Sequence, residues 1–176
     1  MTALRDWFKL VTDIGERPLS ETREATEEER IELARELDIL SCEALKATYV
    51  IKALGSGRYN FSGTLEAEVT QACVVSLEPV PGRLSESYSI ELGPIEALQD
   101  ETPVDGDRVV SSVPDVEPIE DGRIEVGSMI FGVLSAGLDP YPRKPGAEFE
   151  WVDPKLAADP DGASPFAALA KLKPKP

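Results

Sequence analysis

Apolar positions recur with period two through much of the first half of the chain. Leu45, Ala47, Tyr49, Ile51 and Ala53 alternate with Lys46, Thr48, Val50 and Lys52, the pattern of a strand with one buried face. Gly55-Ser56-Gly57-Arg58 then turns the chain. Tyr59, Phe61, Gly63, Leu65, Ala67, Val69, Gln71, Cys73 and Val75 alternate with polar residues such as Asn60, Ser62, Thr64, Glu66 and Glu68, which predicts a long strand, bent or bulged at Gly63. The short Gly-rich turn predicts antiparallel pairing of the two. Pro79-Val80-Pro81-Gly82 reads as a second turn. Beyond it Leu84, Tyr88, Ile90 and Leu92 share one strand face, interrupted by Glu86.

Two helices flank this meander. Thr26 followed by Glu29 is a capping box, Glu27 and Glu28 suit the positive end of the dipole, and Leu33, Ala34, Leu37 and Leu40 form one apolar stripe. The second helix lies within residues 126–138. Met129, Ile130, Phe131, Val133 and Leu134 cover most of its circumference, so it packs inside the fold. Gly127, Gly132 and Gly137 lower its intrinsic propensity, and burial must hold it. Upstream, Trp7-Phe8-Lys9-Leu10-Val11 reads as an extended or strand segment. Residues 93–123 are acidic and Pro-rich and read as loop, with Val109-Val110 as a short strand. After Asp139-Pro140 comes an extended basic loop, Tyr141-Pro142-Arg143-Lys144-Pro145-Gly146. Near the C-terminus Ser164 and Pro165 open a short amphipathic helix, with Phe166, Leu169 and Leu172 on its apolar side and Lys171 and Lys173 toward its negative end. A helix this short is marginal alone. The expected fold is α+β: a curled antiparallel sheet packed against two helices, with a long acidic loop and a flexible C-terminal tail. The expected division is one domain over residues 1–155 and a tail over 156–176.

Composition narrows the chemistry. The 176 residues contain no histidine, which removes Ser-His-Asp triads, Cys-His pairs and histidine zinc sites. The two cysteines, Cys42 and Cys73, make no CxxC motif and are expected as buried thiols in a reducing compartment, with a disulfide between them as the alternative. The acidic loop lacks a calcium pattern. Gly55-Ser56-Gly57 lacks the spacing of a phosphate loop. Ser76, Ser111 and Ser112 have no visible base, and Glu66 and Glu68 read as solvent-facing. No enzyme, metal or cofactor is expected. The longest uncharged apolar stretch falls short of the roughly 18 residues that span a bilayer, and the start, MTALRDWFKL, carries charges where a signal peptide needs an apolar run. The expectation is a cytoplasmic protein with no membrane partner and no small-molecule substrate.

The net charge of −15 disfavours broad contact with phosphate backbones and suits a basic partner; the alternative is that the excess acid only keeps a small protein soluble. Two local features stand against that background. Tyr141, Arg143 and Lys144 could touch phosphate or a base; the alternative is a loop paired with the protein's own carboxylates. Phe166, Leu169, Lys171, Leu172 and Lys173 could dock as a helix in a groove; the alternative is a helix closing the protein's own core.

Gln71-Ala72-Cys73-Val74-Val75-Ser76-Leu77-Glu78-Pro79-Val80, preceded by Phe61-Ser62-Gly63-Thr64-Leu65-Glu66-Ala67-Glu68-Val69, resembles the YceD family of large ribosomal RNA subunit accumulation proteins. Ile124-Glu125-Val126-Gly127, Asp139-Pro140-Tyr141-Pro142-Arg143-Lys144-Pro145-Gly146 and Ser164-Pro165-Phe166-Ala167-Ala168-Leu169-Ala170-Lys171-Leu172-Lys173 continue the likeness in matching order. Ser76 stands where many members have a second cysteine, so a thiol-pair metal site does not carry over. The resemblance implies a non-enzymatic role in 23S rRNA accumulation and large-subunit assembly, with no catalytic residues. Together with the charge, it points to a basic ribosomal protein or a pre-50S particle as partner, any direct RNA contact being local. The alternative is an acidic interaction adaptor unrelated to ribosomes.

Overall fold

A computed structural model describes residues 3–94 and 116–148. The chain divides into two units, Met1–Pro145 and Gly146–Pro176, and the first carries every helix and strand among the described residues. In chain order its elements are β1 (Lys9–Leu10), a 3-10 turn (Val11–Asp13), β2 (Leu19–Glu24), α1 (Glu27–Glu36), β3 (Ser41–Gly55), β4 (Arg58–Ala72), β5 (Pro79–Pro94), β6 (Val116–Ile119), β7 (Arg123–Ile124) and α2 (Val126–Gly137). The class is α+β. An open five-stranded sheet runs β2-β3-β4-β5-β6, and β1 pairs with β7 in a separate two-stranded ribbon.

Period-two patterning set the sheet. Leu45, Ala47, Tyr49 and Ile51 of β3 and Phe61, Leu65, Ala67 and Val69 of β4 are buried on one face, while the intervening residues of the other face are solvated. Ser56 and Gly57 both have positive φ, as a two-residue type I′ turn between twisted strands requires. Thr26 caps α1 with both halves of the capping box formed. The inner face is covered by α1, by α2 and by the segment before β1, whose Leu4 and Trp7 are fully enclosed. The Trp7 indole donates to Glu29 Oε1 at 2.8 Å, and the Arg23 guanidinium lies 4.5 Å from the Trp7 ring centroid. A polar handle on a buried ring is the usual condition for burying tryptophan.

Two close approaches need glycine. Gly63 pairs with Tyr49 on β3 and Tyr88 on β5. A Cβ there would overlap the Thr48 carbonyl oxygen and lie 2.9 Å from the Tyr88 hydroxyl. The empty position lets the rings close over it: Phe61 sits 5.3 Å from Tyr49 and 5.1 Å from Tyr88, centroid to centroid. On α2, Gly127 admits the Leu4 carbonyl, which its Cβ would overlap. The Gly127 amide meanwhile donates to the Trp7 carbonyl at 2.8 Å.

Several expectations need correction. The sheet is mixed rather than antiparallel, because β6 runs parallel to β5. β6 lies in the region read as loop, and β7 begins at its last residue, Arg123; Pro118 and Glu117 are tolerated because β6 is a four-residue edge strand. Gly63 causes no bulge: the register there is unbroken, and the irregularities fall between Cys42 and Ala44 and between Ala53 and Gly55. β4 ends at Ala72, so Cys73 and Val75 belong to a turn instead of a strand. Pro79-Val80-Pro81-Gly82 opens β5 instead of turning. Pro79 and Pro81 lie along the stretch of β5 that β6 does not reach, where a missing N–H leaves no ladder bond unmade. Leu40 lies beyond α1 and is 54% exposed. Of the segment Trp7 to Val11, only Lys9 and Leu10 form strand.

Candidate functional site

The turn between β4 and β5 meets the segment after α2 at one end of the sheet. The Val74 amide donates to the Pro142 carbonyl at 2.9 Å, and the Gln71 side-chain amide donates to the Asp139 carbonyl at 2.9 Å. Cys73 lies between the two segments. Its Sγ accepts the Ser76 amide at 3.5 Å and the Lys144 amide at 3.4 Å, while its own amide donates to the Glu78 carbonyl at 2.8 Å. The Lys144 amide leads the pull on this thiol, helped by Ser76 and Val75. Burial opposes them, and the net effect brings the thiol down to about 6. Cys42 is the contrast: burial pushes it up to about 11. Both cysteines are free and buried.

The basic loop divides in two. Lys144 Nζ bonds Glu78 Oε1 at 2.7 Å and holds that carboxyl below its ordinary range, so Lys144 does pair with the protein's own acid. Arg143 is exposed and has no ion-pair partner among the described residues. Tyr141 is 73% exposed, its amide anchored on Asp139 Oδ1 at 2.9 Å.

Sequence reasoning passed over two residues of the facing turn as candidates. Leu77 has φ of 60° and is 76% exposed. A branched side chain at positive φ costs of order 1 kcal/mol or more, and its exposure recovers none of that through burial. Val74, beside it in the turn, is 47% exposed. Leu77 carried no usable signal, because a single apolar residue between Ser76 and Glu78 does not disclose its φ. A groove of about 570 Å³ runs along this end, its lining including Leu37, Ile39, Val74, Leu138 and Pro142.

The structure thus sets the segment that holds Tyr141, Arg143 and Lys144 against the turn that holds Val74 and Leu77. Phe166, Leu169, Lys171, Leu172 and Lys173 lie outside the described residues, as does Val109-Val110. No group of three or more His, Cys, Asp or Glu residues is placed to hold a metal ion among the described residues. No helix among them is long and apolar enough to cross a membrane. No family model, curated protein or solved structure matches the chain.

Proposed function

We propose that this chain is a non-enzymatic, cytoplasmic factor that supports 23S rRNA accumulation and large-subunit assembly by holding a basic ribosomal protein or a pre-50S particle. The single observation that carries the reading is Leu77. A large apolar side chain is kept in an unfavourable backbone conformation and turned to solvent, beside Val74 and across from the Tyr141-Arg143 loop. Backbone strain of this kind gathers at functional sites, and exposed apolar groups on adjoining segments suit an interaction surface. These residues belong to two of the segments that carry the YceD resemblance, and that coincidence supports taking them as one surface. The net charge of −15 favours a basic partner through long-range attraction. Exposed Arg143 supplies at most a local phosphate contact.

The test is sedimentation of the tagged full chain from lysate on a sucrose gradient at low and high salt, beside the variant Leu77→Gly, Tyr141→Ala. Co-migration of the wild type with 50S precursors, lost at high salt and weakened in the variant, is the expected result. Recovery only at the top of the gradient at both salts overturns the ribosomal reading and leaves an adaptor on the same surface.

A further inference from the structure

We propose that the groove between α2 and the β5–β6 edge is a second docking site, and that its occupant is a basic amphipathic helix of a partner protein. The groove has a volume of about 480 Å³ and a floor that includes Ile90 of β5 and Met129 and Val133 of α2. These three side chains are only half-buried. Met129, Gly132, Val133 and Ala136 follow one another along one side of α2 at helical spacing and all line the groove, so the helix offers a continuous apolar stripe.

The rim decides the occupant. Glu117, Glu120 and Glu125 stand around the groove, with Arg123 the only cation of its lining among the described residues. Arg123 is already engaged: it pairs with Glu125, donates to the Arg5 carbonyl at 3.2 Å, and its guanidinium lies 3.7 Å from the Phe8 ring centroid. Glu117 and Glu120 have no ion pair among the described residues. Glu117 pairs with Leu92, so its side chain emerges on the inner face, toward the groove. An apolar floor under two uncompensated carboxylates is complementary to apolar side chains flanked by Lys or Arg. The floor is made by side chains of α2 and of the inner sheet face. A helix needs only side-chain insertion.

This inference rests on the reading of the chain as a holder of basic proteins, and its assay is independent of the ribosome. A fluorescein-labelled synthetic helix of Leu and Lys is titrated with the full chain and followed by anisotropy, beside a matched helix of Leu and Glu. The Leu-Lys helix is expected to bind and to weaken with salt, and the Leu-Glu helix not to bind. Glu117→Gln with Glu120→Gln should weaken binding roughly three- to tenfold and flatten the salt dependence. Val133→Asp should lose it by at least about tenfold, with the doubly neutralised variant as the control that leaves the apolar floor intact. No binding of the Leu-Lys helix, equal binding of both helices, or indifference to all three substitutions overturns the proposal. A full chain that sediments as a dimer until Val133→Asp makes it monomeric assigns the groove to a second copy, and overturns it too.

Discussion

The same substitution at two positions of α2 should shift stability in opposite directions. Gly132 faces open space, with nothing within 4 Å of the position a Cβ would take. Alanine there gains the ordinary helix preference over glycine, about 0.8–1 kcal/mol. Gly127 is just over one turn nearer the helix start, and a Cβ there would overlap the Leu4 carbonyl oxygen and lie 2.8 Å from Leu4 Cβ. Backbone must therefore move. The Leu4 carbonyl also accepts the Trp7 amide at 2.9 Å, and Gly127 itself donates to Trp7, so Leu4 cannot retreat without disturbing Trp7. Overpacking of this kind costs about 1–3 kcal/mol. Releasing the segment altogether is no cheaper escape, since Leu4 and Trp7 are 1% and 0% exposed and each such side chain is worth roughly 1.5–3 kcal/mol when buried. Thermal and urea unfolding of the full chain gives the readout. About 2–4 °C per kcal/mol is expected at this size, so Gly132→Ala should rise by about 2–4 °C and Gly127→Ala should fall by about 2–12 °C. With Trp151→Phe as background, the emission of Trp7 alone should shift to the red in Gly127→Ala. A Gly127→Ala protein as stable as its parent, with unchanged emission, would refute the close approach and with it the docking of the segment before β1 on α2.

Leu77→Gly should stabilise the protein by about 1 kcal/mol through relief of positive φ, seen as a higher urea midpoint; a loss of stability would refute the strain. Phe61→Ala should cost about 3–5 kcal/mol, because the ring is fully buried between Tyr49 and Tyr88; differential scanning calorimetry checks it. Cys73 has its thiol lowered from 9 to about 6, so between those values the unfolded chain binds more protons than the folded one. Stability from this group is then complete above about 9 and lost as pH falls through about 6. The unfolding midpoint of the wild type should climb from pH 6 to 9 relative to Cys73→Ala, and parallel curves would count against the amide-held thiolate. Removing the exposed Lys144–Glu78 pair by Lys144→Ala should change stability by no more than about 1 kcal/mol, a ceiling that the same unfolding measurements test.

How much the sequence discloses depends on how local each cause is. The faces of β3 and β4 are legible because alternation from Leu45 to Ile51 and from Phe61 to Val69 is a property of adjacent residues. The start of α1 is legible because Thr26 and Glu29 satisfy each other within one turn. β6 is not, since Val116-Glu117-Pro118-Ile119 becomes a strand only through β5, and two of its four residues are poor strand formers. Pro79 and Pro81 mislead for a related reason: they punctuate a turn unless an unpaired edge makes their missing donors harmless. At the candidate site, both segments stand out in the chain, but their contact does not. The bond from the Lys144 amide to the Cys73 sulfur links positions 71 residues apart, and no local pattern encodes that distance. Leu77 is invisible for the opposite reason, because its significance lies in a single dihedral angle.

The ribbon of β1 and β7 bears on the order of events as the chain is made. Lys9 pairs with Ile124, and Leu10 with Arg123; the Arg123 side chain reaches the Arg5 carbonyl across 118 positions. Trp7 and Leu4 also await Gly127 before they can be enclosed. The segment before β1 leaves the ribosome well ahead of α2 and is therefore among the last to find its place, while the hairpin of β3 and β4, with its two-residue turn, can pair as soon as it emerges. Until α2 is synthesised, Trp7 has Glu29 and Arg23 beside it, but the sides of Leu4 and Trp7 that meet Gly127 stay uncovered, where other chains can reach them. A nascent chain halted before residue 126 should accordingly leave Trp7 less enclosed than the full chain does.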